Sequence, residues 1–460
     1  IPTDGLKYKQ LDGLIVTSKE RTRLKRDKEY YYIEIGDVDI HWGRIEYHRK
    51  FGFFIPESPL KVKAGDIIVS KVRTYRKGIA FVDKDSDSLT CTPAFLLIRS
   101  VTDEMTKEYL YAVLRHDVFV EQILALQNRG SYPRLDKHVA ENVLIPISKD
   151  RRVMEYLTCL TKALIRKNEE LESKSSKMQK MLETEIVGNQ ISGTFAYLPP
   201  RYQDLKNEKR LDTGLYNEEY KKILFLLENY SEGFFLVPED KFKSGSTPEK
   251  RIIGIGNKNW ITPTIISDYG YFESEEKILT DKSNLTKDCA LIINRTFKGG
   301  LGEYVGISVF YDYSAKGIGH HNQGLYRVED YPEEQLKMIA ILLNSNLYRK
   351  LCGHISLGSK MREIKISDFA QIPFPKIRKE VAQELVKYYS QKAKYPFDTT
   401  LENFSAVDDE ITKASGMLEL SYQIAKINSQ ISDTIDKMIK GKPIELSIDF
   451  LMSKLLPNEP

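Results

Sequence analysis

The chain has 460 residues, too many for one ordinary core, so two domains with something between them are expected. Its 69 Lys+Arg against 65 Asp+Glu leave a formal charge of +4, which excludes coating nucleic acid through a global field and confines any such contact to local patches. No window approaches an uninterrupted apolar twenty-mer and the start lacks a basic-then-apolar export pattern, so a soluble cytoplasmic protein without a membrane partner is expected. The first residue is Ile1 rather than Met, which leaves open whether a short N-terminal piece is missing. Cys91, Cys159, Cys289 and Cys352 stand far apart without paired spacing, which argues against a zinc site or a disulfide framework.

Along the chain, Lys19, Arg21, Arg23, Lys25, Arg26 and Lys28 form a basic run that reads as a solvated face. From Asp66 the sequence is DIIVSKVRTYRKGIAFV: an acid, a short apolar run typical of a buried strand, then Lys71, Arg73, Tyr75, Arg76 and Lys77 at its end. An amphipathic helix follows (Leu110, Val113, Leu114, Phe119, Val120, Ile123, Leu124), then the basic loop Arg129-Gly130-Ser131-Tyr132-Pro133-Arg134 and the apolar-proline strand Val143–Ile147. Residues 150–187 carry Leu157, Leu164, Leu171 and Met178 at intervals of seven, the seam of a long helix. Thr161, Asn168 and Ser175 fall within that seam and weaken it while fixing its register. Gly188-Asn189-Gln190 through Pro199-Pro200 ends the helix.

The same series then recurs in order. From Asp288 the sequence is DCALIINRTFKGGLGEYVGI, which aligns Asp288 with Asp66, Arg295 with Arg73 and Phe297 with Tyr75, and adds Lys298. A second amphipathic helix (Leu336, Ile339, Ala340, Leu343, Leu347, Leu351) leads to the loop Leu357-Gly358-Ser359-Lys360-Met361-Arg362 and a strand with proline, Gln371–Pro375. After a loop at 394–408, residues 409–440 repeat the seven-residue seam with Met417, Ile424, Ile431 and Met438, flanked by Leu420 and Ile427. Three matches in order at nearly constant separation indicate a duplicated domain. The expected fold class is α+β: two homologous mixed α/β domains, 1–149 and 191–376, separated by a helix over 150–190 and followed by a helical segment and tail over 377–460. The two helices would pair as an antiparallel coiled coil.

Four cations with a hydroxyl and an aromatic at the end of a buried strand suit DNA, since Arg grips phosphate or two acceptors of guanine. One such segment is equally well a solvated hairpin; its recurrence favours DNA. In His320-His321-Asn322-Gln323, Asn322 and Gln323 are the side-chain types that pair twice with adenine, and His321 adjoins them. Adjacent strand histidines point to opposite faces, so a metal site is not expected. An amino-methyltransferase would need an Asn/Asp-Pro-Pro-aromatic segment, and the Pro-Pro here, Leu198-Pro199-Pro200-Arg201, lacks both neighbours. No phosphate-binding Gly-x4-Gly-Lys-Ser/Thr loop is present, and the seven scattered histidines show no Ser-His-Asp pattern.

With these features the chain resembles the specificity subunits of type I restriction-modification enzymes over essentially its whole length. The resemblance is carried by Arg210-Leu211-Asp212 through Glu219-Tyr220, Gly245-Ser246-Thr247-Pro248, Trp260-Ile261-Thr262-Pro263, and the strand patterns Tyr32–Val38 and Gly65–Ile68. Asn217-Glu218 replaces the family's proline step, and the first domain shows neither the Gly-x-Thr-Pro turn nor the Arg-Leu-Asp entry. The resemblance implies two target recognition domains, each reading one half of a split site in double-stranded DNA, and helices that space them and dock two methyltransferase subunits. It also implies that two restriction/translocase subunits can join, that S-adenosylmethionine, ATP and Mg belong to those partners, and that this chain is no enzyme. It further adds Ser246 and Thr247 to the DNA-binding set. Rival readings are a specificity subunit of a related methylase/nuclease or phage-exclusion system, and a self-contained DNA-modifying enzyme.

Overall fold

The computed structural model describes residues 5–56, 58–126, 134–191, 193–203, 206, 213–295, 305–358 and 361–452. These fall into two units: one runs up to Glu170 and takes in Lys394–Lys413 and the residues from Gln423 on, the other comprises Leu171–Ala393 and Ala414–Tyr422. The division cuts through both long helices instead of leaving them as separate bodies. Among the described residues no helix is long and apolar enough to cross a membrane.

The first unit runs β1 (Leu6–Gln10), β2 (Ile15–Thr17), β3 (Glu29–Ile33), β4 (Arg49–Phe51), β5 (Leu60–Lys61), β6 (Ile67–Ser70), β7 (Ile79–Phe81), β8 (Leu89–Cys91) and β9 (Phe95–Val101). Then come α1 (Lys107–Arg115), α2 (Asp117–Ala125), α3 (Lys137–Asn142), β10 (Leu144–Ser148) and the long helix α4 (Arg151–Gly188). Its main sheet is antiparallel in the order β2-β9-β6-β7, with all four residues of β6 buried. A second sheet has the order β4-β3-β8-β5, in which only the β3–β8 pair is parallel. β1 pairs antiparallel with the proline strand β10, Tyr8 opposite Pro146.

The second unit contains α5 (Glu218–Glu228), β11 (Phe234–Phe235), β12 (Phe242–Ser244), β13 (Ile252–Ile261), β14 (Lys277–Leu279), β15 (Cys289–Ile293), β16 (Ser308–Tyr311), β17 (Gly319–His321) and β18 (Leu325–Val328). These lead into α6 (Glu333–Leu343), α7 (Asn346–Ile355), β19 (Phe374–Pro375) and α8 (Lys379–Ser390). Its main sheet has the order β12-β18-β15-β16, antiparallel throughout. The second sheet, β14-β13-β17, again has one parallel pair, β13 with β17. An isolated antiparallel bridge, Leu285 to Gly319, stands where β5 pairs in the first unit. β11 pairs with β19 as β1 does with β10. The two units therefore share one strand order, one set of pairing directions and one parallel pair, so the duplication read in the sequence is a duplication of topology.

Residues 151–187 contain neither glycine nor proline, so α4 runs unbroken until Gly188. Its seam residues Leu157, Leu164, Leu171 and Met178 are all buried, as are Met417, Ile424, Ile431 and Met438 of the C-terminal segment. That segment is two helices, α9 (Phe404–Ala414) and α10 (Met417–Ile439), and not the single helix expected over 409–440. The break has a cause: the amide of Gly416 donates to Gln391 O at 2.7 Å, and a Cβ at Gly416 would meet the Gln391 amide nitrogen at 2.5 Å. Arg151–Glu170 of α4 shares the first unit with Gln423–Ile439 of α10, and Leu171–Gly188 shares the second with Met417–Tyr422. In the first unit the Gln430 amide donates to the Tyr156 hydroxyl at 3.1 Å. Thr161 is satisfied within its own helix, its hydroxyl donating to Leu157 O at 2.7 Å.

Candidate nucleic-acid interface

In the first unit, β6 leaves the sheet at Ser70 into a turn held from below. The Ser70 hydroxyl donates to Val72 O at 2.7 Å and the buried Thr74 hydroxyl donates to Ser70 O at 2.7 Å. Arg73 and Lys77 both take left-handed backbone, with φ of 52° and 57°, a conformation costly to residues with a Cβ. The turn leaves Arg73 and Arg76 exposed and Tyr75 half-buried. Lys77 instead pairs with Asp117 of α2 at 2.6 Å. Lys71 is half-buried; burial lowers its pKa, and the positive charges of Lys19 and Arg21 lower it further. Arg134 is exposed and bridges to Val72, which brings the end of the second basic loop beside the turn. Arg129, Ser131 and Tyr132 lie outside the described residues. Asp66 stays inside: its carboxylate meets Arg99 Nε at 2.8 Å and accepts from the Lys63 amide at 2.7 Å.

In the second unit β15 exits at the equivalent end of its sheet. The Asn294 amide donates to Gly324 O, and Asn294 O accepts from Ile364. The same two bonds in the first unit are made by Lys71, with Ala94 O and the Leu135 amide. The frames therefore place Asn294 at the position of Lys71, and Arg295, which bridges to Glu363, at that of Val72. The sequence pairing of Arg73 with Arg295 is corrected by one residue. Arg295 is half-buried beside this exit, and Lys298 lies outside the described residues.

The other candidates gather unevenly. Ser246 is exposed, its amide donating to His321 O at 3.2 Å, with Thr247 half-buried beside it. Gln323 is exposed, and its carbonyl accepts from the Asn294 side chain at 3.1 Å, so Ser246, Gln323 and Arg295 share one end of the main sheet. Asn322 is half-buried, its side-chain oxygen accepting from the Gly324 amide at 2.8 Å. His321 is corrected: it is fully buried, its Nδ1 at 2.8 Å from Asn284 Oδ1, and burial holds its pKa down at about 3. Its neighbour His320 stacks on Trp260 and meets Ser246 O through Nε2 at 2.9 Å. Arg362 is tethered, donating to Gly353 O at 2.9 Å, while Ser359 and Lys360 lie outside the described residues.

Sequence reasoning missed that the basic run beginning at Lys19 adjoins Lys71. The signal was the order of strands: β2 and β6 both pair with β9 and leave the sheet at the same end, near Phe95. Among the described residues no group of three or more His, Cys, Asp or Glu is placed to hold a metal. Burial pushes the Cys91 and Cys352 thiols up to about 12, far from a reactive thiolate. What the two sheet ends present is guanidinium, amide and hydroxyl, groups that hydrogen-bond phosphates and base edges.

The chain is thus a tandem α+β protein in which one mixed fold occurs twice, each copy with a polar or cationic end. No protein-family model matches the sequence, and no curated protein matches it. Among solved structures, a chain from a study of complex assembly and conformational transition in a type I R-M system aligns with a TM-score of 0.34 and 17% identity. That alignment covers 96% of this chain and 99% of the other. The HsdS subunit from Thermoanaerobacter tengcongensis aligns at a TM-score of 0.33 and 17% identity, over 96% and 98% of the two chains. The S subunit of a type I restriction-modification system from M. genitalium aligns at a TM-score of 0.39 and 13% identity, over 97% and 98%.

Proposed function

We propose that this chain is a sequence-specific DNA-binding specificity subunit that reads a bipartite target and directs methylation and restriction by partner subunits of a type I restriction-modification complex. The observation that carries the reading is the duplication itself: two copies of one topology, each emitting DNA-compatible side chains from the same end of its main sheet. In the first copy these are Lys71, Arg73, Tyr75 and Arg76; in the second they are Ser246, Thr247, Gln323 and Arg295. The frame is shared and the presented chemistry differs, which suits two unlike half-sites. Arg73, Arg76 and Arg295 would grip phosphates or guanine edges, and Gln323 would pair with adenine.

The helices α4 and α10 would space the readers and dock two methyltransferase subunits; restriction/translocase subunits would join that core. S-adenosylmethionine, ATP and Mg would be bound by those partners in the cytoplasm, and this chain would contribute recognition alone. The test is the host's methylome with and without this gene. The expected result is loss of one split adenine-methylation motif with a fixed unread spacer. An unchanged methylome would overturn the proposal.

A further inference from the structure

The basic run Lys19–Lys28 and an exposed aromatic turn, far apart in sequence, are joined by backbone hydrogen bonds. Gly52 N–H donates to Lys28 O at 2.9 Å and Phe53 N–H donates to Arg26 O at 3.1 Å. The approach is close enough that a Cβ at Gly52 would meet Lys25 O at 2.2 Å. Tyr30, Tyr32 and Ile55 form a small buried cluster, with Leu24 packed on it. On the outside, Phe53 and Phe54 are 65% and 69% exposed and touch edge to face, with Phe51 also exposed. Arg26 lies over the Phe53 ring, and Arg23 and Lys25, just before it in the chain, are exposed as well. The acids nearby are Glu20, which pairs with Lys61, Glu29, which pairs with Arg49, and Asp27.

The second unit repeats the arrangement with other side chains. β4 ends at Phe51 opposite Glu29, and β14 ends at Leu279 opposite Ile252. Leu279, Ile252, Ile253 and Ile255 are all exposed, and Lys250, Arg251 and Lys282 flank them, with Glu249 and Asp281 as the acids. Large apolar side chains left in water beside cations, twice at one place in a duplicated fold, are not scattered surface residues.

We propose that the free end of the β3–β4 hairpin in the first unit, and of the β13–β14 hairpin in the second, is an apolar tip that packs into the minor groove of duplex DNA. The flanking cations hold the phosphates on either side. This rests on the DNA-reading proposal above and extends the interface beyond the sheet ends. Phe, Leu and Ile are the side chains that wedge against base steps from the minor groove, and Arg and Lys supply the salt-sensitive grip. The run from Lys19 to Lys28 starts beside Lys71 and ends at the tip, so one cation-rich segment links the sheet end to the tip. Docking of two identical protein partners would require the same side chains twice, whereas one tip is aromatic and the other aliphatic.

The test uses the full chain and a mixed-sequence 30-base-pair duplex, with affinity read by fluorescence anisotropy across a salt series. The triple variant Arg23→Gln, Lys25→Gln, Arg26→Gln should lower the slope of log K against log salt by roughly 2 to 3, at about 0.9 per phosphate contact. The double variant Phe53→Ala, Phe54→Ala should bind roughly tenfold more weakly with an unchanged slope. All five side chains are exposed, and a thermal melt checks that both variants fold. Wild-type affinity and slope in both variants would overturn the tip while leaving the DNA-reading proposal standing. Loss of methyltransferase-subunit binding with intact DNA binding would overturn it in favour of a protein-docking face. A wild-type chain without salt-dependent duplex binding would remove the DNA-reading proposal itself.

Discussion

Removing one side of the ion cluster inside the first unit should destabilise it strongly, and removing both sides should not. Lys167 of α4 and Asp408 of α9 are both fully buried, with Nζ at 2.8 Å from Oδ1. Asp408 also meets Arg166 at 3.0 Å and accepts from the Tyr395 hydroxyl at 2.5 Å, while Lys167 donates to Thr412 at 2.8 Å. Breaking a buried pair by removing one partner costs roughly 3 to 5 kcal/mol, because a desolvated charge is left behind. Lys167→Met leaves Asp408 with Arg166 and Tyr395, so its cost falls at the lower end, about 3 kcal/mol. For a domain of this size that lowers the melting temperature by roughly 6 to 12 °C. Asp408→Leu takes the carboxylate away from the buried Lys167 ammonium and should cost about 4 kcal/mol or more. The double variant Lys167→Met, Asp408→Leu exchanges charge for packing and should cost only roughly 1 to 2 kcal/mol, the residue of unpairing Arg166 and Tyr395. Urea denaturation and thermal melts of the four proteins give the double-mutant cycle. A Lys167→Met loss under about 1 kcal/mol, or a double variant as costly as the two singles added, would refute the reasoning.

Four further outcomes are expected. Arg73→Gly should leave stability unchanged or raise it by up to about 1 kcal/mol, since φ is 52° there, yet weaken duplex binding; a destabilised variant with intact binding would contradict this. Arg295→Ala should relax reading of the second half-site alone by roughly 1 to 3 kcal/mol, and equal loss across all sequences in a binding competition would make Arg295 a phosphate contact. Four residues inserted after Lys174 of α4 add about 6 Å of helix and should lengthen the unread spacer in the methylome motif, with both half-sites unchanged. His321 is held at about 3 by burial, below its ordinary 6.5, so the unfolded chain takes up a proton first as pH falls. The second unit should therefore lose stability from about pH 6.5 down towards 3, and His321→Asn should flatten the urea midpoint between pH 7 and 5.

The duplicated frame was legible because buried strands need apolar runs, and β6 and β15 carry one each, preceded by an acid and followed by cations. The long helices were legible from their seams, although the break at Gly416 was not, since it depends on how closely Gln391 approaches. Letter matching set arginine on arginine, whereas hydrogen bonding sets Asn294 on Lys71, because strand register follows backbone pairing and not side-chain identity. Alternation along a strand set His320 and His321 on opposite faces, yet the Asn284 side chain meets both rings. The pattern could not show that both faces are covered, one by Trp260 and the other around Asn284. The basic run at Lys19–Lys28 looked like a solvated face because nothing local reveals that Phe53 folds back onto Arg26.

These misses share a physical origin that bears on how the two copies can diverge. The buried strands tolerate few substitutions, since a methylene lost from β6 or β15 leaves a cavity, so their composition recurs and can be read. The ends of the sheets and hairpins are bounded by backbone bonds to neighbouring segments, and most of their side chains face water. Substitution there changes stability by only about 0.5 kcal/mol in either direction. One copy can thus hold Phe53 and Phe54 and the other Ile253 and Ile255 on the same frame. The side chains presented at these ends are free to diverge between the copies because the energy that holds each copy together is stored elsewhere, and for the same reason they leave little periodic trace in the sequence.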